Sequence, residues 1–242
     1  PNPKVAGKGI QKLTDAGCEV IRGILEAECN ILNKRFFTFH IKKRPYIFLK
    51  WAQTKDGYIA PFKRESQNPV WITTPYARQQ VHKLRAQEQA ILVGTNTVVV
   101  DNPSLTTRNW IGPSPVRIVI DQNLRISKKA HIYNQKVKTI FITAMTAENQ
   151  MNLIFEQINF SKNIGSQICD ILHQHQLQSL IVEGGAQTLQ TFIDANLWDE
   201  ALVFVGNTTF GSGVKAPRLK EISLSEELIG LDLLTHYKNT AH

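Results

Sequence analysis

Cysteine is scarce and dispersed: the 242-residue chain carries three, Cys18, Cys29 and Cys169. No two form a C-x-x-C pair, and no histidine stands at metal-ligand spacing from any of them, which leaves no zinc knuckle and no redox dithiol. Dispersed thiols suit a reducing compartment, so the expectation is a cytoplasmic protein whose cysteines are free and buried. No apolar run approaches the ~20 residues of a membrane span. Pro1-Asn2-Pro3-Lys4 leads into no apolar block of a secretory signal, and reads as a cut inside a longer protein. The chain lacks both G-x-G-x-x-G and G-x-x-x-x-G-K-[ST], the two best-known phosphate loops. A Ser/His/Asp spacing is missing too, which argues against a nucleophilic hydrolase. His173 and His175 lie two apart on an expected helix and diverge around its axis, so no metal is assigned to them.

What is present is an ordinary globular composition, 42% hydrophobic and 20% charged, with a formal net charge of +8. Such a surface can attract nucleic acid, anionic lipid or a phosphorylated small molecule. The cations are scattered rather than gathered into a stripe with interleaved aromatics, so neither a nucleic acid nor a membrane is the expected partner.

Residues 1–44 look like a separate piece: a helix, a short strand at Cys18–Ile21 and a second helix, too short to bury a core alone. Arg44-Pro45 marks a boundary. Beyond it, Tyr46–Ala52 reads as a doubly buried strand. Thr74 and Pro75 open a helix as cap and first residue, with Ala77, Val81 and Leu84 on its apolar face. Strands are expected at 90–93, 116–120, 138–142, 179–183 and 201–206, and helices at 95–100, 146–157, 165–175 and 186–195. A final strand near the terminus is expected to pair antiparallel at an edge. This alternation predicts an α/β fold with a mostly parallel central sheet covered on both faces.

In such sheets ligands sit at the carboxyl ends of strands, and three strand ends stand out. In "AILVGTNTVVVDNPSLTTR" the strand stops at Gly94, a helix start presents the N–H groups of Thr95, Asn96 and Thr97, and Asp101 follows about two turns on. In "SLIVEGGAQTLQTFI" an apolar strand ends in Glu183-Gly184-Gly185. Two glycines there allow a phosphate to approach backbone N–H groups. A carboxylate at that position is costly unless paired, bound to a ligand or used as a helix cap. The third is Lys50, closing "PYIFLK", an obvious partner for Glu183 if their strands are neighbours. With Arg78, Arg85 and Arg108 these ends describe a cleft for a ligand carrying phosphates.

The segments "LKWAQTKDGYIA", "WITTPYARQQVHKLRA", "AILVGTNTVVVDNPSLTTR", "PVRIVID" and "IVEGGAQTLQTFI", in this order, resemble the reductase domain of the bifunctional riboflavin-biosynthesis deaminase/reductase family, over residues 45–242. The resemblance implies a dihydrofolate-reductase-like three-layer sandwich. It implies an enzyme that uses NADPH to reduce the ribosyl group of 5-amino-6-(5-phosphoribosylamino)uracil to a ribityl chain, acting as a homo-oligomer. Residues 1–44 resemble the end of the family's deaminase domain; the zinc-binding H-x-E and P-C…C segments of that domain are not in this chain, so zinc is assigned only to the missing part. By the same resemblance, Lys50, Asp101 and Glu183 are catalytic. Ala52, Trp71, Thr97, Asp101, Gly184 and Gly185 contact the cofactor, and Arg85, Leu105, Arg108 and Glu183 the substrate. The family usually has a Ser two residues before the Trp; here Pro69 stands there, and Ser66 is the candidate substitute. Two other readings stand beside this one: a dihydrofolate-reductase-like enzyme with a pterin-like substrate, and a non-catalytic nucleotide-binding module.

Overall fold

The computed structural model describes residues 7–62 and 70–241, so Ser66 and Pro69 lie outside the described residues. Helices α1 (Lys8–Asp15), α2 (Glu26–Leu32) and α3 (Lys34–Lys42) precede the strand β1 (Tyr46–Thr54). There follow β2 (Tyr58–Ala60), α4 (Pro75–Gln87), β3 (Ala90–Gly94), α5 (Thr95–Asp101), β4 (Val116–Ile120), β5 (Thr139–Thr143) and β6 (Leu153–Gln157). The chain ends with α6 (Ile164–Gln174), β7 (Ser179–Val182), α7 (Ala186–Asp194), β8 (Glu200–Gly206), β9 (Val214–Lys215), β10 (Ser223–Ile229) and β11 (Asp232–Lys238).

The main sheet has the order β10-β11-β8-β1-β7-β3-β4-β5-β6. It is parallel from β8 through β6 and becomes antiparallel only at the β11 and β10 end. Alternation along the strands explains the layers. Ala90, Leu92, Ile118, Ile140, Leu180 and Val182 face the side covered by α6 and α7. Ile91, Val93, Val119, Phe141 and Ile181 face the opposite side with Val98 of α5. Because both faces are buried, these strands read as continuous apolar runs. This is the mostly parallel α/β sandwich expected.

Five expectations change. The helix placed at 146–157 is instead the edge strand β6 over Leu153–Gln157. β5 offers an open edge that takes its backbone in parallel register, and the Phe155 ring stacks on Phe141 at 5.1 Å. Burial and a free edge outweigh local helix preference. The short strand at Cys18–Ile21 does not form, since nothing among the described residues pairs with it. The terminal strand is β11, one place in from the edge, and the unforeseen β10 covers it. Cys169 is buried as expected, whereas Cys18 and Cys29 are exposed, because α1 and α2 bury no residue at all. Thr74 does precede α4, but its hydroxyl donates to Asp232 (2.6 Å) rather than capping the helix.

α3 behaves differently from α1 and α2. It docks across the amino ends of the strands by ion pairs: Lys34 with Glu200, Arg35 with Glu88, and Lys42 with Asp199 (3.9 Å). Just beyond it, Arg44 grips the same Asp199 through two bonds of 2.6 and 2.9 Å. Phe39 is buried beneath it. Glu200 also accepts from Tyr46 and from His236 (2.8 Å). Burial alone would raise its carboxyl, but the bonds from His236, Lys34 and Tyr46 outweigh it and hold it down at about 2. A depressed carboxyl stabilises the fold above its ordinary pKa of 4.5 and loses that contribution as pH falls toward the folded value of about 2. Glu200→Gln should therefore cost on the order of 3 kcal/mol at neutral pH. In urea titrations its deficit relative to the parent should shrink as pH falls from about 5 to 2.

Candidate active site

The carboxyl ends of β1, β7 and β3 open into a cleft of about 1310 Å³. Adjacent parallel strands set its centre: Leu49 of β1 lies beside Val182 of β7, so the next residues stand side by side, Glu183 just past the end of β7 and Lys50 still within β1, which runs on beside β8. The Lys50 Nζ stands 3.9 Å from the Glu183 Oε1. A closer partner comes from α4, where Arg85 donates from Nη2 to the Glu183 Oε2 at 2.6 Å and from Nη1 to the Thr106 carbonyl at 3.3 Å. Glu183 caps no helix: Gly185 occupies the N-cap of α7, and no side chain bonds there.

Burial dominates the electrostatics of this cluster. Burial alone would raise the Glu183 carboxyl, but Arg85 and then Lys50 outweigh it and the carboxyl stays low and ionised. Burial pushes the Lys50 ammonium below its usual range, and Glu183 only partly opposes this. The Glu183 Oε1 and the Arg85 Nε are buried without a hydrogen-bond partner. An unsatisfied buried carboxylate oxygen costs free energy, and a ligand hydroxyl or N–H would remove that cost.

The walls hold the other expected residues. Thr97 and Asp101 line the cleft from the first and last turns of α5, Ala52 lines it from β1, and Trp71 from the segment just before α4. The Trp71 ring is 60% exposed and takes the Arg78 guanidinium at 4.1 Å. Gly185, at φ +62°, also faces the cleft, close to the hydroxyls of Thr97 and Thr188. Arg108 reaches the lining, its charged form disfavoured by burial and then by Arg85.

Two expected residues sit elsewhere. Leu105 does not line the cleft; its side chain is 2% exposed in the core with Val98 and Ile126, and its backbone is left-handed at φ +53°. Gly184 does not line it either. A Cβ there would lie 2.7 Å from both Cα and Cβ of Val93, so this glycine permits β7 to pack against β3, while its neighbour Gly185 makes the turn. Sequence reasoning missed His82, Thr188 and Arg125, which also line the cleft. Arg125 donates to the Asn96 side chain at the start of α5. Only the i, i+3 spacing of His82 and Arg85 was available to point at the first.

Residues 45–237 match the family model described as the RibD C-terminal domain. The chain belongs to the RibD C-terminal domain family. Among its relatives, the riboflavin biosynthesis protein RibD of Aquifex aeolicus is 36% identical, over 98% of this chain and 70% of that protein. RibD of Actinobacillus pleuropneumoniae is 33% identical, over 98% of this chain and 68% of its own length. A solved structure of the diaminohydroxyphosphoribosylaminopyrimidine deaminase/5-amino-6-(5-phosphoribosylamino)uracil reductase of Thermotoga maritima superposes with a TM-score of 0.85 at 30% identity. It aligns with 98% of this chain and 69% of that one. Within this RibD fold, Gly184→Ala should destabilise by about 1–3 kcal/mol, because the new methyl group meets Val93 backbone that cannot rotate away. Denaturant melts measure this, and an unchanged midpoint would show that the strand ends can part at no cost.

Proposed function

We propose that this chain is an NADPH-dependent reductase of 5-amino-6-(5-phosphoribosylamino)uracil, acting in riboflavin biosynthesis. In this reading residues 45–242 form the reductase domain and residues 1–44 the tail of a zinc-dependent deaminase domain. The observation that carries the reading is the buried Oε1 of Glu183, which faces Lys50 but has no hydrogen-bond partner. It sits in a cationic cluster within one large cleft, beside two helix starts that present backbone N–H groups. At about 1310 Å³ that cleft exceeds the ~300–1,000 Å³ usual for a single drug-sized ligand.

The residues present suit a reduced dinucleotide. Glycine-opened turns at Gly94 and Gly185 let diphosphate oxygens approach the N–H groups at the starts of α5 and α7. Thr97, Ala52 and Trp71 would complete the grip, with Asp101 on the α5 wall. Bound there, the reduced nicotinamide supplies hydride to C1 of the opened sugar. The chain's own groups do the rest. Glu183, kept ionised by Arg85 and Lys50, accepts a sugar hydroxyl or pyrimidine N–H through its spare oxygen. Arg108 and Arg85 answer the ribose phosphate, as planar guanidinium groups do. Ring opening moves a proton from the nitrogen to the ring oxygen, and hydride addition at C1 of the resulting imine then consumes one proton at the nitrogen. Asp101 and the Lys50/Glu183 pair, its lysine made more acidic by burial, are the candidate donors.

The test is an absorbance assay of the reduced nicotinamide with freshly deaminated pyrimidine substrate; oxidation that needs both components supports the reading, and none overturns it. Asp101→Ala should lower turnover by about 10²-fold or more, the range of a lost general acid, while NADPH binding stays within about threefold. Equal losses in both would assign Asp101 to cofactor binding.

A further inference from the structure

His82 lies one turn before Arg85 on α4, on the same face, and both side chains line the cleft. It is 6% exposed, yet neither the cofactor nor the proton transfer described above uses it. Its Nδ1 accepts the main-chain N–H of Arg108 at 3.1 Å. That bond is one of a series along the same segment. The Leu105 side chain is sunk in the core, Arg85 takes the Thr106 carbonyl, and the Ser114 hydroxyl accepts the Thr107 N–H at 3.1 Å. Four consecutive residues are thus fixed one by one, two of them by α4. The strained backbone of Leu105 at φ +53° shows that this path is imposed by its surroundings rather than chosen locally.

We propose that His82 is a positioning residue: by accepting the Arg108 N–H it fixes where the Arg108 guanidinium stands in the cleft, and so sets the affinity for the substrate's phosphate. The proposal rests on the reductase reading above. An imidazole can accept at Nδ1 only when that nitrogen carries no proton. Burial, then the charges of Arg85 and Arg108, hold His82 down at about 4, so the contact persists through the neutral range.

The experiment uses the full chain and ribose 5-phosphate as the probe, with NADPH binding and steady-state kinetics alongside. His82→Leu removes the acceptor; His82→Asn keeps an oxygen near the Nδ1 position. The expected result is about a tenfold weaker Kd for ribose 5-phosphate in His82→Leu, with KM raised more than kcat is lowered and NADPH binding within twofold. His82→Asn should restore most of the loss. In an Arg108→Ala background, His82→Leu should cost nothing further, since the group it positions is gone. A folded His82→Leu that binds ribose 5-phosphate like the parent overturns the proposal, and so do losses that multiply in the double variant. Should His82→Leu not fold, His82→Ala is judged by the same criteria. Should neither fold, His82→Asn decides: parental affinity supports the assignment and a tenfold loss in a folded variant overturns it. If the parent chain itself binds no ribose 5-phosphate, the proposal is overturned, whereas the reductase reading is decided separately by the absorbance assay.

Discussion

A carboxylate at the end of a fully apolar strand is the constraint around which the cleft is arranged. Glu183 emerges from β7, where every residue is buried, and its own side chain is only 8% exposed. An ionised group there costs several kcal/mol unless it is paired. Arg85 supplies a direct bond and Lys50 a second charge, each from a different element. The two cations do not fully satisfy it, and one oxygen is left without a hydrogen bond at the cleft. Removing either partner would strand charge in the interior, so the cluster couples the placement of α4, β1 and β7 to one another.

The parallel sheet determines where this happens. Carboxyl ends of β1, β7 and β3 converge by register, and the helices that follow β3 and β7 begin at the same level. Close approach at these ends depends on missing side chains. Gly184 lets β7 lie against Val93, and Gly94 leaves room for the Thr188 hydroxyl of α7. α4 then acts as a ruler along one wall. His82 and Arg85, one turn apart, hold two points, at Arg108 and Thr106, of the segment that carries Arg108.

The opposite ends of the same strands carry a second polar network with a different task. Asp199, Glu200 and Glu88 stand at the amino ends of the strands and are answered by Arg44, Lys34 and Arg35 from α3 and its end. These bonds cross the expected boundary at residue 44 and fasten α3 to the sheet, whereas α1 and α2 leave their apolar side chains uncovered.

What the amino-acid sequence by itself determined was the periodic and the punctuated part of the molecule. Continuous apolar runs ending in glycine marked doubly buried parallel strands, and lone charges after such runs marked the cleft, because burial of both kinds is expensive enough to leave a local signature. Lys50 and Glu183 were legible for this reason. Only the tertiary structure decided what depended on neighbours distant in the chain. "NLIFEQ" became the strand β6 because β5 had an open edge. Thr74 turned from its helix to Asp232, and Gly184 served packing while Gly185 served the turn. Leu105 went into the core, and His82 became an acceptor for Arg108. None of these residues carries a local signal of its role, since each role is a hydrogen bond or contact whose partner is chosen by the packing of the whole sheet.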